Sequence, residues 1–176
     1  MVRQLDDEIV RALRARAAKR GRSAEAEHRE ILRQALVARV TSRADRQVEA
    51  REWLAYARAN IAHAEAGRAS EALIEYLCFD ARQAAEKALK AALISRGIRP
   101  PAIEDPGELT ALLALAGVKV PDEIHRAQRL GSFTWHSCYP GSTNPSPDED
   151  ALVEALSIAQ AVIDWAAEMI EDGPPE

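Results

Sequence analysis

The sequence predicts a mainly α protein, an up-and-down helical bundle preceded by a short strand–helix–helix unit. Apolar residues make up 47% of the 176 residues and aromatic residues only 5%, with alanine and leucine the main apolar types. That composition favours helix over sheet. Along most of the chain the apolar residues recur at every third or fourth position, which is the spacing of one helix face.

Charge divides the chain into two parts. Residues 1–46 carry a net charge of +5, whereas residues 47–176 carry −10. We therefore expect a basic head at residues 1–40, a connector at 41–48 and an acidic body at 49–172. A basic head is suited to nucleic acid, whereas the body needs a local basic site to bind phosphate. The connector is polar and charged, and either a helix or a flexible segment fits its composition.

The head begins with alternating apolar and polar residues at 2–5, which predict a short strand. Asp6 is placed to cap a first helix that ends at Gly21, and Ser23 is placed to cap a second helix. About 40 residues bury too small a core to fold alone, so the head is expected to dimerise. The inward positions at helical spacing are Ile9, Leu13 and Ala17 in the first helix, and Ile31, Leu32, Ala35 and Leu36 in the second.

The segment VRQLDDEIVRALRARAAKRGRSAEAEHREILRQAL resembles the ribbon-helix-helix DNA-binding domain of VapB/FitA-type antitoxins. The resemblance implies an intertwined dimer whose paired strands enter the major groove of operator DNA. Arg3 then matches the strand residue that contacts bases, the other interpretation being a solvated charge. The turn of Gly21, Arg22 and Ser23 matches the place where backbone amides hold a phosphate. His28 is interpreted as a partly buried packing residue, with a pH switch as the alternative.

Five helices are predicted for the body. The first ends near Gly67, and the second runs from about Ser70 to Arg96. A third, short helix precedes a fourth, which begins after Pro121 and contains residues 129–136. A turn-rich loop at 140–147 leads to the last helix. The expected buried positions of the second and third helices include Leu73, Tyr76, Leu77, Ala84, Ala88, Ala91, Leu109, Leu112, Leu113 and Leu115.

The candidate catalytic residues are Arg129, His136 and Tyr139. A guanidinium, an imidazole and a phenol can hold and cleave an RNA phosphodiester without a metal. On one continuous helix the seven-residue offset from Arg129 to His136 spans about 10 Å along the axis. That distance is too long for one phosphate unless the helix breaks, as Gly131 would permit, or a dimer supplies a second pair.

The segments YLCFDARQAAEKALKAALISRGI, ELTALLALAG and YPG resemble a HEPN domain over about residues 48–172, most specifically at 83–91. Many HEPN domains are dimeric, metal-independent ribonucleases with an Arg-x(4–6)-His motif, which Arg129 and His136 match. By this resemblance Arg129 stabilises charge on the phosphate, His136 transfers a proton and Tyr139 orients a phosphate oxygen. In the most similar subgroup Arg-Tyr-Pro is common where this chain has Cys138-Tyr139-Pro140, and His-Asp-Leu where it has residues 104–106.

Two classes of function remain from these observations. One is a toxin–antitoxin protein with a DNA-binding head and an RNA-binding or RNA-cleaving HEPN body, acting as a homodimer. The other is a non-catalytic HEPN module that docks a nucleotidyltransferase, a nucleotide, an RNA or another toxin–antitoxin partner, while the head represses its own operon. Neither class needs a cofactor or a metal. The chain shows no membrane span and no secretory signal, so we expect a cytoplasmic protein.

The other polar groups are weaker candidates. Cys138 lies two residues from His136, an offset that does not place two side chains together on a helix. We expect His63 and Glu65 to be solvated, and Glu86, Lys87 and Lys90 to lie on an exposed helix face. The acidic residues 148–150 are expected to stabilise the start of the last helix. No set of metal ligands is expected around His125, and no disulfide between Cys78 and Cys138.

Overall fold

The computed structural model describes residues 7–29, 43–142 and 146–172. The chain divides into two compact units, residues 1–42 and 43–176. They are called the head and the body below. The predicted strand at 2–5, Arg3, Asp6 and the inward residues from Ile31 to Leu36 lie outside the described residues.

In the head, helix α1 spans Asp7–Lys19 and is followed by a tight turn into helix α2, of which residues 24–29 are described. Gly21 has a φ of 62°, a left-handed conformation that glycine adopts without strain. The Ser23 hydroxyl accepts a hydrogen bond from the Ala26 amide at 3.1 Å. The predicted end of α1 and the predicted cap of α2 are thereby confirmed.

The body is a helical bundle, as predicted. Its long helices α3 and α4 are antiparallel, because Arg46 lies near Gly97 at one end and Asn60 contacts Asp80 towards the other. Helix α7 packs against both of them. The helices are α3 (Arg43–Arg68), α4 (Ile74–Ser95), α5 (Pro106–Leu115), α6 (Asp122–His125) and α7 (Glu149–Asp172), with 3-10 helices at Arg126–Ser132 and Trp135–Cys138.

Alanine dominates the contacts between the long helices. Small side chains let helix axes approach closely, which suits a bundle with few aromatic residues. The larger buried side chains include Leu89 and Leu93 of α4 and Val162 and Ile163 of α7. The buried alanines are Ala50, Ala57 and Ala64 on α3, Ala81, Ala84, Ala85, Ala88, Ala91 and Ala92 on α4, and Ala155, Ala159 and Ala166 on α7.

The predicted start of α4 at Ser70 is wrong, because α4 begins at Ile74. The Ser70 amide and hydroxyl both donate to the Gly67 carbonyl, which closes a turn after α3 and delays the next helix. Leu73 therefore precedes the helix and is exposed, and Tyr76 is also exposed instead of buried. Leu115, in the last turn of α5, is likewise exposed rather than buried.

The predicted fourth helix, which was to contain residues 129–136 with a possible break at Gly131, is instead a series of short helices. The chain leaves the helical conformation at Phe133 and is extended at Thr134, between the two 3-10 helices. The break lies beyond Gly131, which serves a different purpose. A Cβ atom at Gly131 would lie 2.5 Å from a carboxylate oxygen of Asp105, so only glycine leaves room there. Asp105 in turn caps α5 by accepting the Glu108 amide at 2.9 Å.

Among the residues that the structure describes, none of the helices combines the length and the apolarity that a membrane crossing requires.

Candidate functional site

Arg129 projects from the first 3-10 helix and is exposed. Its Nη1 atom donates to Glu154 Oε1 of α7 at 2.5 Å, and Arg126 Nη2 donates to the same oxygen at 3.1 Å. Two guanidinium groups therefore share one carboxylate, which leaves one positive charge uncompensated within this cluster. Arg129 and Glu154 also line a shallow pocket of about 140 Å³ together with Phe133.

His136 lies on the second 3-10 helix and is exposed. Within the described parts of the chain its imidazole forms no hydrogen bond or ion pair with another side chain. Both ring nitrogens are thus left by the described side chains for a ligand to contact.

Tyr139 follows the second 3-10 helix, and its hydroxyl oxygen accepts a hydrogen bond from Trp135 Nε1 at 2.8 Å. The two rings meet edge to face with centroids 5.5 Å apart. From α4, Tyr76 and Phe79 contact the same indole, at 6.4 and 5.6 Å between centroids. The phenol of Tyr139 keeps its own proton to donate to a ligand.

Arg129, His136 and Tyr139 thus lie on one short segment, but no hydrogen bond found among the described residues joins them. The break at residues 133–134 removes the fixed separation of about 10 Å that a straight helix would impose. Arg129 lines the pocket beside Glu154, whereas Tyr139 lines a second cleft of about 210 Å³, and His136 lines neither.

The two cysteines are buried and free. Burial, followed by the negative charge of Glu75, raises the pKa of Cys78 to about 12. The same two causes in the same order raise the pKa of Cys138. Its Sγ atom lies 3.7 Å from the Glu75 carbonyl oxygen, while the His136 ring is exposed. A thiolate is disfavoured at both positions, so a Cys138–His136 nucleophilic pair is not supported.

The expectation that Glu86 and its neighbouring lysines form an exposed face is wrong. Glu86 and Lys90 are buried, and Lys90 Nζ donates to Glu86 Oε1 at 2.7 Å. Gln83 Nε2 donates to Glu86 Oε2 at 2.8 Å, and Arg82 Nη1 lies 3.8 Å from that oxygen. The charges are tolerated because each one has an opposite charge or an amide as partner.

Lys87, one turn away, is half-buried. Its ammonium donates to Asn60 Oδ1 at 2.7 Å and to Gln83 Oε1 at 3.0 Å, both of them neutral acceptors. Burial lowers the pKa of Lys87, although the nearby Glu86 opposes the shift. We interpret this lysine as part of the α3–α4 contact.

His63 is largely exposed, as expected for a solvated residue, but it has a partner that the sequence did not indicate. Its Nδ1 atom lies 2.6 Å from Asp80 Oδ2 on α4. Asn60 Nδ2 donates to the other oxygen of Asp80 at 2.6 Å. Glu65, by contrast, is exposed as expected.

A metal site is not found among the described residues, where no group of three or more histidine, cysteine, aspartate or glutamate side chains is placed to hold an ion. His125 lies at the end of the short helix α6 and is exposed.

In the head, the predicted phosphate-binding turn lies beside a buried carboxylate. Glu27 is fully buried, and its Oε1 atom accepts hydrogen bonds from Arg16 Nε at 2.7 Å and Arg20 Nη1 at 3.0 Å. Arg22 Nε lies 3.3 Å from Oε2. The three arginines remain 40–46% exposed, so they present two net positive charges to solvent. His28 is partly buried, as the packing interpretation expects.

The HEPN domain model matches residues 50–170, which is more than half of the chain. The chain belongs to the HEPN family. A second model, described as the ribbon-helix-helix of FitA-like antitoxins, matches residues 1–36. The combination of an antitoxin-type head with a HEPN body is that of a toxin–antitoxin-type protein.

Two solved structures are similar to the HEPN body. The protein TT1696 from Thermus thermophilus is 29% identical, covers 68% of this chain and 97% of its own, and has a TM-score of 0.58. ST0689, an archaeal HEPN homologue, is 22% identical, covers 69% of this chain and 97% of its own, and has a TM-score of 0.56; it supports the fold alone. No curated protein matches the chain.

Sequence reasoning placed the HEPN candidate residues on one segment but missed their partners. Glu154 lies 25 residues from Arg129, on a helix that carries several other acidic residues. The contacts of Trp135 with Tyr76 and Phe79 come from a helix more than 50 residues earlier in the chain. Such pairings depend on how the helices pack, which no local pattern encodes.

Proposed function

We propose that the body of this HEPN protein acts on RNA at the face that carries Arg129, His136 and Tyr139, and that the head binds operator DNA. The observation that supports the body's role best is the break at residues 133–134. It separates an exposed guanidinium from an exposed imidazole on two short helices, and the imidazole is available for proton transfer.

The chemistry needs no metal. His136 removes the proton of a ribose 2′-hydroxyl, and the 2′-oxygen forms a bond to the adjacent phosphorus. The bond from phosphorus to the 5′-oxygen breaks, and that oxygen takes up a proton that the protonated His136 gives back through solvent water. The products are a 2′,3′-cyclic phosphate and a 5′-hydroxyl. Arg129 releases Glu154, binds the phosphate and stabilises its charge. Tyr139 donates a hydrogen bond to a phosphate oxygen.

Expression of the full-length protein in a bacterial host tests this proposal. We expect the wild-type protein to arrest growth and to shorten cellular RNA, and Arg129→Ala to do neither. Arg43→Ala is the matched control, because Arg43 is an exposed arginine at the start of α3. Growth at the normal rate with intact RNA in the wild type would argue against an RNA-cleaving body.

The second candidate is a non-catalytic body that docks RNA, a nucleotide or a nucleotidyltransferase partner. The ion pairs that both Arg126 and Arg129 form with Glu154 favour it, because they withhold the guanidinium groups from a phosphate. RNA that is bound but returned intact by the purified protein identifies this alternative.

For the head, we propose a homodimer that binds operator DNA through Arg3 and through the turn of Gly21, Arg22 and Ser23. The three exposed arginines around Glu27 support a role in binding the DNA backbone. Operator binding by the wild type, weakened by Arg3→Ala, is the expected outcome. A protein that is a monomer by light scattering would contradict the proposal.

A further inference from the structure

Four of the eight aromatic residues of this chain gather at Trp135, the residue before His136, although aromatic residues are only 5% of the sequence. Three of these four are well exposed, with Tyr76 at 41%, Trp135 at 50% and Tyr139 at 53%. These three residues are called the aromatic platform. So much exposed aromatic surface in one place is typical of a binding surface.

The platform is held in place before any ligand arrives. The indole of Trp135 contacts Tyr76 and Phe79 of α4 and is tied to the Tyr139 hydroxyl through its Nε1 atom. That hydrogen bond uses the edge of the indole, and half of the Trp135 surface remains exposed despite these contacts. Rings that are already fixed lose little conformational entropy when a ligand binds.

The cleft of about 210 Å³ adjoins the platform and shares Tyr139 with it. It is smaller than pockets for drug-sized ligands, which begin near roughly 300 Å³, so its size suits a single ring system. Its lining residues include Glu75, Ser137 and Ser146. The cleft therefore offers a carboxylate and hydroxyl groups next to a stacking surface.

We propose that the aromatic platform stacks an unpaired base of RNA next to the phosphate at His136, and that Glu75 accepts a hydrogen bond from the exocyclic amino group of that base. The inference rests on the proposed function and names the part of the substrate that the body selects. Cytosine, adenine and guanine carry such an amino group and uracil does not. Aromatic side chains that stack unpaired bases are the usual means of binding single-stranded RNA.

The chemistry of the surface favours a base over a second copy of the chain. The centre of a homodimer interface is apolar and depleted of charge, whereas this cleft carries the Glu75 carboxylate. The exposed imidazole of His136 follows Trp135 directly in the chain. A base stacked on Trp135 is therefore bound one residue along the chain from the group proposed to transfer a proton.

Binding is measured by fluorescence anisotropy with labelled eight-nucleotide oligoribonucleotides of cytidine, adenosine or uridine. The full-length protein carries His136→Ala so that the RNA stays intact. We expect Trp135→Ala to weaken cytidine oligomer binding about tenfold, since one stacked base contributes about 1–3 kcal/mol. Trp135→Phe, which keeps a stacking ring, should restore most of the affinity. Tyr56→Ala removes an even more exposed aromatic ring, on α3, and should leave the affinity unchanged.

Base selection is measured with the same oligomers. We expect the cytidine and adenosine oligomers to bind more tightly than the uridine oligomer, and Glu75→Gln to reduce that difference. Glu71→Gln is the matched control, because Glu71 is exposed and lies just before α4. Equal affinities for all three oligomers in the parent protein would overturn the assignment of Glu75.

The outcomes separate the inference from the proposed function. If no oligomer binds the parent protein, the RNA-directed function itself fails. If RNA binds but Trp135→Ala and Trp135→Phe both retain full affinity, the platform is not the base site and the function stands. If Trp135→Ala turns a dimer into a monomer by light scattering while the RNA affinity is kept, the platform contacts a second copy and the inference is overturned.

Discussion

Arg129 of the first 3-10 helix is held by Glu154 of α7, with 2.5 Å between Nη1 and Oε1. Arg126 shares the same carboxylate. The pair connects the candidate site to α7. It also makes phosphate binding at Arg129 less favourable, because the carboxylate of Glu154 already occupies the guanidinium. An RNA phosphate has to displace Glu154 before Arg129 can bind it with both of its outer nitrogen atoms.

Removing the charge of Glu154 should therefore strengthen RNA binding. We expect Glu154→Gln to raise the affinity of the full-length protein for RNA about tenfold at low salt, since one charge-assisted hydrogen bond contributes about 1.5–3 kcal/mol. The gain should shrink as the salt concentration rises. Stability should change by less than about 1 kcal/mol, because Arg129 is exposed and Glu154 is partly exposed.

The control for Glu154→Gln is Glu168→Gln, which changes the same charge at an exposed position of the same helix. Both affinities are measured by anisotropy over a series of salt concentrations. An equal gain in the two variants would mean that net charge alone acts, and that Glu154 has no special relation to the site.

The buried carboxylate of Glu86 should be important for stability. We expect Glu86→Gln to lower the free energy of unfolding by about 3–5 kcal/mol, because Lys90 and Arg82 would keep their buried charges without an opposite charge. Urea denaturation measures the change. Glu65→Gln, at an exposed position on α3, should stay within about 0.5 kcal/mol of the wild type. A similarly small loss for Glu86→Gln would show that the network contributes little.

The raised pKa of both thiols predicts slow reaction with a thiol reagent. Because the pKa of Cys78 is about 12 in the folded protein and 9.0 is the ordinary value, the reactive thiolate is scarce at pH 8. The same shift adds stability that is present below pH 9 and is lost as the pH rises towards 12. We expect the native protein to react far more slowly than the urea-unfolded protein at pH 8. Rapid modification of both cysteines in the native state would contradict their burial.

In the head, the arrangement of the arginines should matter more than their charge. Glu27→Gln removes a negative charge, so the net charge of the head becomes one unit more positive. We nevertheless expect weaker binding to operator DNA, because the three arginines lose the carboxylate that positions them. These arginines are Arg16, Arg20 and Arg22. Glu25→Gln makes the same charge change at an exposed position and should bind as well as the wild type or better. Tighter binding by both variants would favour a purely electrostatic account.

Much of the fold could be predicted because the signals are local. The end of α1 at Gly21, the cap at Ser23 and the helices of the body follow from spacing and capping chemistry. The helix that contains residues 129–136 could not be predicted correctly. The break lies at Phe133 and Thr134, which are neither glycine nor proline, so no local signal marks it.

The site was predictable only as a set of residue types. The spacing of Arg129 and His136 located the segment, whereas the identity of their neighbours depended on tertiary contacts. Glu86 was also predicted to lie on an exposed face, because a charged residue is seldom fully buried unless it is paired. Lys90 and Gln83, which bind the Glu86 carboxylate, lie one turn away on the same helix. Glu86 is buried because α4 packs against the neighbouring helices.

The most direct test of the RNA-directed function is cleavage of a labelled single-stranded RNA by the purified full-length protein in the presence of a chelator. We predict that the wild type produces fragments with 2′,3′-cyclic phosphate ends, and that His136→Ala binds the RNA but releases it intact. His125→Ala, an exposed histidine on α6, should cleave as the wild type does. Equal cleavage by the wild type and His136→Ala, or no cleavage by either protein, would contradict the assignment of His136 as the proton-transfer group.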